Sequence, residues 1–341
     1  MIGSQPIFHN PDLETSPQRL APDIVRLADL FADSLMIETC RFEALQRRPG
    51  SRHVAAYKLI LREPGTGRRC VLDLVAKRDT VHAIGKAARE FRALRTLEAA
   101  GFTARGRFRI PNAIYLSKDL RVLLQERARG SPLTGHVGQS SPDTDIYMRS
   151  AGEWLAKLHS VNAAPSLGCF HHEDLSRLGI FINALAELCP TFTSRLRVLA
   201  TTISNVLALP THVPATMVHG DYHPDHIFVT GGKVTVIDFE RFAFSDPARD
   251  LGSFIAHMRT LGHYRGKPVG QVERQILLFW QAYCLQLPEP HSGRLSERIA
   301  AFTAHTALEA LYYVACVLKV RDPERHEIYL RCAEEPGIWE T

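Results

Sequence analysis

The densest run of chemistry-bearing side chains is VHGDYHPDHIFV, residues 218–229, where three histidines and two aspartates lie between apolar flanks. After it come a short strand-like stretch, the pair Gly231-Gly232, and KVTVIDF, which carries Asp238. Two such stretches around a Gly-Gly pair read as a β-hairpin. A hairpin brings the end of its second strand back to the start of its first. The loop holding Asp221 and the carboxylate of Asp238 are therefore expected to face one space. Two carboxylates converging beside cationic side chains suit phosphoryl transfer. One can orient an attacking hydroxyl and accept its proton. The other can hold magnesium, a hard cation that prefers oxygen ligands and phosphates. Taken alone, a turn capped by Asp221 and a strand ended by Asp238 would explain the same residues equally well.

The elements around this loop differ between the two halves of the chain. Residues 1–20 read as a loose leader, and Ile24, Leu27, Leu30, Phe31 and Leu35 are spaced like one face of a helix over 21–36. TCRFEALQ, HVAAYKLILR and RRCVLDLVAKR read as strands, the last two joined by the turn EPGTG. Side chains alternate along a strand, so Lys77 shares a face with Val71, Asp73 and Val75, and Arg78 points the other way. A helix is expected over 81–100, with Ile84, Ala87, Phe91, Leu94 and Leu97 as its apolar stripe and Gly101 at its end. AIYLS and RVLLQER follow as two more strands. Gly, Ser and Pro concentrate over 128–142, as in a linker, with Ser141 and Pro142 suited to start a helix. Beyond it, helical patterns recur near 175–188, 193–207, 247–260, 270–286 and 294–319. The class expected is α+β, with two unequal lobes: 21–127 rich in strands and 143–341 mainly helical.

Composition excludes several other classes. The 341 residues are 45% hydrophobic and 23% charged, enough to bury a core without disulfides. The net charge of +5 is mild, and no basic run is interleaved with aromatics, so nucleic acid is not the expected partner. Seven scattered cysteines without a Cys-x-x-Cys argue for free thiols in a reducing compartment rather than a disulfide framework or zinc site. No stretch reads as a membrane span or signal pattern, and a cytoplasmic protein is expected. Oligomeric state leaves no trace in the sequence.

Four segments together carry a resemblance. His219-Gly220-Asp221-Tyr222-His223-Pro224-Asp225-His226-Ile227-Phe228 is similar to the catalytic loop of the aminoglycoside phosphotransferase and choline kinase family. Val236-Ile237-Asp238-Phe239-Glu240 resembles that family's metal-binding segment, and residues 244–252 (FSDPARDLG) resemble the segment after it. Residues 151–159 (AGEWLAKLH) are similar to its helix before the loop. The likeness runs from about residue 40 to about 260. It implies a bilobal, protein-kinase-like fold that uses ATP and Mg2+ to phosphorylate a hydroxyl of a small molecule such as an aminoglycoside, amino alcohol or sugar.

By that resemblance Asp221 is the catalytic base and Asp238 the magnesium ligand. Lys77 holds the nucleotide phosphates and Glu90 positions it. Gly50, Ser51 and Arg52 stand where a loop covers the phosphates, and Glu126 and Arg127 where backbone contacts to adenine are made. One position departs from the pattern. His226 stands where the family usually has an asparagine as second metal ligand, and imidazole is a softer donor than an amide oxygen. That departure motivates an alternative, a nucleotide-binding pseudokinase. His223-Pro224-Asp225-His226 motivates another, a metal-dependent hydrolase, although its metal motif is broken by Asp221.

Overall fold

The computed structural model describes residues 36–47, 52–81, 83–161, 171–209, 214–286 and 293–337. The expected leader, the helix over 21–36 except for Met36 (which opens a strand), and both Gly50 and Ser51 lie outside the described residues. The chain divides into two compact units. One comprises the described residues up to Ala104 with Ile110–Ala128; the other comprises Arg105–Arg109 and the described residues from Arg129 onward.

The first unit is built on a five-stranded antiparallel sheet. Its strands are β1 (Met36–Arg47), β2 (His53–Arg62), β3 (Arg69–Arg78), β5 (Ala113–Ser117) and β6 (Val122–Glu126), in the order β1-β2-β3-β6-β5. Period-two alternation puts Tyr57, Leu59 and Leu61 of β2 into one apolar cluster with Leu74 and Ala76 of β3 and Val122 and Leu124 of β6. Lys77 belongs to the alternate set, paired with Val54 and Leu123 across the neighbouring strands.

Helix α1 spans Lys86–Ala99, five residues later at its start than the sequence suggests. Two local features set that start. Gly85 takes a left-handed conformation (φ 87°), and the Asp79 carboxylate accepts the Ala87 N–H at 3.0 Å. Ile84 consequently lies outside the helix and is 67% exposed, whereas Ala87, Glu90, Ala93, Leu94 and Leu97 form the buried face. At the far end Gly101 (φ 84°) closes the helix, and Phe102 N–H donates to Leu97 O at 2.9 Å.

The second unit is mainly helical: α2 (Pro142–His159), α3 (His171–Leu188), α4 (Thr193–Ala208), α5 (Ala248–Tyr264), α6 (Val269–Cys284), α7 (Gly293–Tyr312) and α8 (Pro323–Glu334). Ser141 caps α2 by accepting the Thr144 N–H at 3.2 Å, with Pro142 in the first turn as expected. Leu178, Leu185, Leu196, Ile203, Leu308 and Leu311 pack α3, α4 and α7 into one core.

The Gly231-Gly232 hairpin forms as read, from β9 (Ile227–Thr230) and β10 (Lys233–Val236). It is larger than read. β4 (Phe108–Arg109) pairs parallel to β10, and β7 (Ser131–Pro132) pairs with β9, giving a four-stranded sheet; β8 (Thr216–Val218) and β11 (Ala243–Ser245) form a separate pair. Strands of two or three residues carry too little alternation to be seen in a sequence.

The reading that no segment could span a membrane needs one amendment. Leu295–Val317 is long and apolar enough by length and composition, with 61% of its most apolar window buried within the unit. A packed core helix meets the same criterion. The six described cysteines, Cys40, Cys70, Cys189, Cys284, Cys316 and Cys332, are free thiols.

Candidate active site

The loop before β9 is held from below by one buried acid. Asp250, on the first turn of α5 and fully buried, accepts the backbone N–H groups of His219 (2.7 Å) and Gly220 (2.8 Å). Its Oδ2 also lies 3.2 Å from Nε2 of His159, whose Nδ1 lies 2.9 Å from the Tyr283 hydroxyl. Gly220 is required by shape: its φ is +80°, and a Cβ there would meet the Arg241 carbonyl oxygen at 2.3 Å. Tyr222 anchors the loop's other side. It is fully buried, stacks on Trp154 at 5.8 Å and donates its hydroxyl to Ala151 O at 2.8 Å.

His219 ties the two acid-bearing segments together. Its Nε2 donates to Ile237 O at 2.9 Å, next to Asp238, and its Nδ1 accepts the Asp221 N–H at 3.3 Å. Both ring nitrogens are thus committed in the neutral form. Burial drives its pKa below the ordinary histidine value, against the pull of Asp250. The ring is a clamp, not a base.

Asp221 and Asp238 remain partly open, with side chains 31% and 28% exposed. Burial pushes the Asp221 carboxyl upward, but the His226 imidazole, the Arg241 guanidinium and the imidazoles of His257 and His219 together outweigh it and hold the group below the usual aspartate value. Asp238 follows the end of β10 in a left-handed conformation (φ 71°), uncommon for a residue with a Cβ and typical of strained functional positions. His226 touches both acids: Nδ1 lies 3.8 Å from Asp221 Oδ2, and Nε2 lies 3.4 Å from Asp238 Oδ2.

In the sheet unit the expected cation and acid also meet. Lys77 Nζ lies 2.6 Å from Glu90 Oε1, and Glu90 is fully buried. Arg52 joins them. Its NH1 lies 2.7 Å from Glu90 Oε2 and its Nε 3.3 Å from Asp79 Oδ1, and the side chain is 4% exposed. Arg52 is therefore placed in a buried ionic network rather than on an open loop. Glu126 and Arg127 have engaged their backbone donors inside the same unit: Glu126 N–H donates to Asn112 O and Arg127 N–H to Asp73 O, both at 2.9 Å. The Arg127 guanidinium lies 3.3 Å from Glu43.

Several participants escaped the sequence reading. Asp79 is one, since nothing marks an acid just past a strand as both a helix cap and an arginine partner. His159 was legible as the end of the AGEWLAKLH segment but not as a brace for Asp250. His257 lies on α5 with its ring 4.5 Å from that of His223, a contact that only the packing of the helix on the loop creates.

Comparison with known proteins identifies the family and the fold. Residues 47–304 match the profile of a family described as "Phosphotransferase enzyme family". No curated protein sequence matches. Among solved structures, a choline/ethanolamine kinase family protein from Mesorhizobium loti superposes with a TM-score of 0.56 at 18% identity, covering 86% of this chain and 87% of that one. The ADP-bound aminoglycoside phosphotransferase APH(2″)-Ib gives 0.58 at 15% identity, over 94% of this chain and 100% of that one. Macrolide 2′-phosphotransferase MphH from Brachybacterium faecium gives 0.51 at 20% identity, over 92% and 99%. At such identities the likeness is one of fold.

Proposed function

Because this chain belongs to the phosphotransferase enzyme family and is thereby a small-molecule kinase, we propose that it moves the γ-phosphoryl group of ATP to a hydroxyl of its acceptor, with Asp221 as the base. The observation that carries this reading is the meeting of Asp221 and Asp238 around one imidazole, at 3.8 and 3.4 Å from His226. Asp221 is ionised at neutral pH and partly open, so its carboxylate can accept a hydrogen bond from the acceptor hydroxyl and then its proton. Asp250 and His219 fix the loop that aims it, which limits the reorganisation needed at the moment of transfer.

Asp238 offers a carboxylate oxygen, the donor that magnesium prefers, and the site fits that ion through this residue; His226 contributes nitrogen beside it. Magnesium there would neutralise charge on the phosphates. Lys77, held by Glu90, supplies the cation for the nucleotide's phosphates. ATP as donor is supported by the nucleotide-bound relative. Aminoglycosides, amino alcohols and sugars are the acceptor classes to screen.

The decisive test pairs a broad acceptor screen, following ADP release with magnesium and then manganese, with the variant Asp221→Asn. Turnover is expected to fall by about 10²–10⁴-fold, the usual worth of a positioned base, with ATP affinity little changed. Near-normal turnover in that variant would remove Asp221 from the role assigned to it.

A further inference from the structure

Beside the Asp221 carboxylate the chain places two imidazoles, and the proposed transfer uses only that of His226. His223 Nε2 and His226 Nδ1 each lie 3.8 Å from Asp221 Oδ2. The two rings have centroids 3.8 Å apart, and His257 stacks against the outer face of the pair through His223. One ligand atom from each of Asp221, His223 and His226 lies within 4.8 Å of the others. Local structure sets this cluster. The single turn Pro224–His226 folds His226 back so that its N–H donates to His223 O at 2.9 Å, which brings the two rings together.

Two imidazole nitrogens of the cluster face acceptor oxygens. His226 Nδ1 lies 3.0 Å from the Asp221 carbonyl oxygen, which can only accept, so Nδ1 carries a hydrogen and, in the neutral ring, Nε2 holds the lone pair. That lone pair faces Asp238 Oδ2 at 3.4 Å, a second acceptor. His223 presents the same problem. Its Nδ1 is buried with no hydrogen-bond partner among the described residues, and its Nε2 has a carboxylate oxygen as neighbour. An N–H donated to a backbone carbonyl, as His226 Nδ1 donates here, is the usual support for a metal-ligating ring.

We propose that Asp221, His223 and His226 form a binding site for a divalent transition metal of the zinc class, with Asp238 placed to close the fourth position. Tetrahedral zinc with bonds of about 2.0–2.2 Å needs donor atoms roughly 3.3–3.6 Å apart. Between the donor atoms so assigned, Asp221 Oδ2 to His223 Nε2 is 3.8 Å and Asp238 Oδ2 to His226 Nε2 is 3.4 Å, near that spacing. Magnesium is a poor competitor for such a set, because it demands near-octahedral oxygen donors, whereas imidazole suits zinc, copper, iron and nickel. Zinc held here occupies the Asp221 carboxylate, so the site inhibits phosphoryl transfer. The inhibition rests on the reading of Asp221 as the base; the metal site does not.

The test uses the full chain, stripped of metal and free of nucleotide. It is titrated with CoCl2 by visible absorption and with ZnCl2 by calorimetry. One equivalent of cobalt is expected to bind with the intense visible bands of a tetrahedral site, and zinc should displace it. His223→Asn and His226→Asn should each weaken zinc binding by more than the roughly 10–100-fold that loss of an outer-shell partner costs. A pale octahedral cobalt spectrum, no stoichiometric binding, or unchanged affinity in both folded variants would overturn the site; the wild-type spectrum decides even if a variant fails to fold. Zinc inhibition of ADP release is measured separately, and its midpoint should match that of zinc binding. A tetrahedral site without phosphoryl transfer to any acceptor would leave the metal site standing and sink the kinase reading. Transfer without the site would do the reverse.

Discussion

The two ionic clusters of this molecule are built on opposite plans. In the sheet unit, Lys77, Arg52, Glu90 and Asp79 are all at most 5% exposed, and the two cations alternate with the two acids. In the helical unit, Asp221 and Asp238 are about a third exposed, and imidazole nitrogens stand 3.4–3.8 Å from them. The first cluster is buried and paired within itself, so removing a member unbalances charge in a dry site. The second stays open to an outside partner, so removing a member costs the ligand rather than the fold. One region spends polarity on position and the other keeps it for chemistry.

Paired variants sharpen that contrast most. Glu90→Ala removes the acid that Lys77 and Arg52 share in a buried site, and the cost expected for breaking a buried pair is about 3–5 kcal/mol. Asp238→Asn, by contrast, keeps a residue type that tolerates the left-handed backbone at a partly open position, and its stability should stay within about 0.5 kcal/mol of wild type. Urea denaturation of both variants checks this directly. Equal losses would mean that the Asp221–Asp238 region is as self-contained as the Lys77 network.

Gly220→Ala probes whether the open site nevertheless rests on a rigid floor. The added Cβ would meet Arg241 O at 2.3 Å, in a backbone conformation with φ +80°. A cost of about 1–3 kcal/mol is expected from the strained backbone, with further loss if Arg241 cannot yield. The loop must then lift from Asp250, so ADP release should fall more steeply than the thermal midpoint. A variant with wild-type turnover would show that the loop is not fixed by this contact.

How much of this was readable beforehand follows the range of each interaction. The hairpin around Gly231-Gly232 and the Ser141-Pro142 helix start are local, and both appear where the residue types put them. The pairing of Lys77 with Glu90 spans 13 residues, a strand followed by a helix, and was reached through the family resemblance rather than from alternation alone. Arg52 was expected on a phosphate-covering turn; its partner Glu90 is 38 residues away, and no local pattern distinguishes an arginine that folds inward. The helix start at Lys86 was missed because its cap, Asp79, lies eight residues from the N–H it accepts. The His223–His257 stack depends on α5 packing across the loop and had no periodic signature at all.

The smallest effect, and the most specific, concerns pH. His219 is fully buried and neutral, with Nε2–H given to Ile237 O and the Nδ1 lone pair taken by the Asp221 N–H. A proton on Nδ1 would destroy that second bond. Its folded pKa is therefore depressed below the model-peptide value of 6.5, chiefly by burial. The unfolded chain then binds the proton more readily than the native one. The stability this group contributes is complete above about pH 6.5 and is lost as pH falls from there toward the folded value. The slope from this one proton cannot exceed about 1.4 kcal/mol per pH unit. Urea denaturation at pH 8, 7, 6 and 5 in chelator should show stability falling at the acidic end, and His219→Gln, which cannot take up the proton, should show a shallower fall over the same interval. An identical pH profile in the variant would mean that His219 is not the group whose neutrality holds the two acid-bearing segments together.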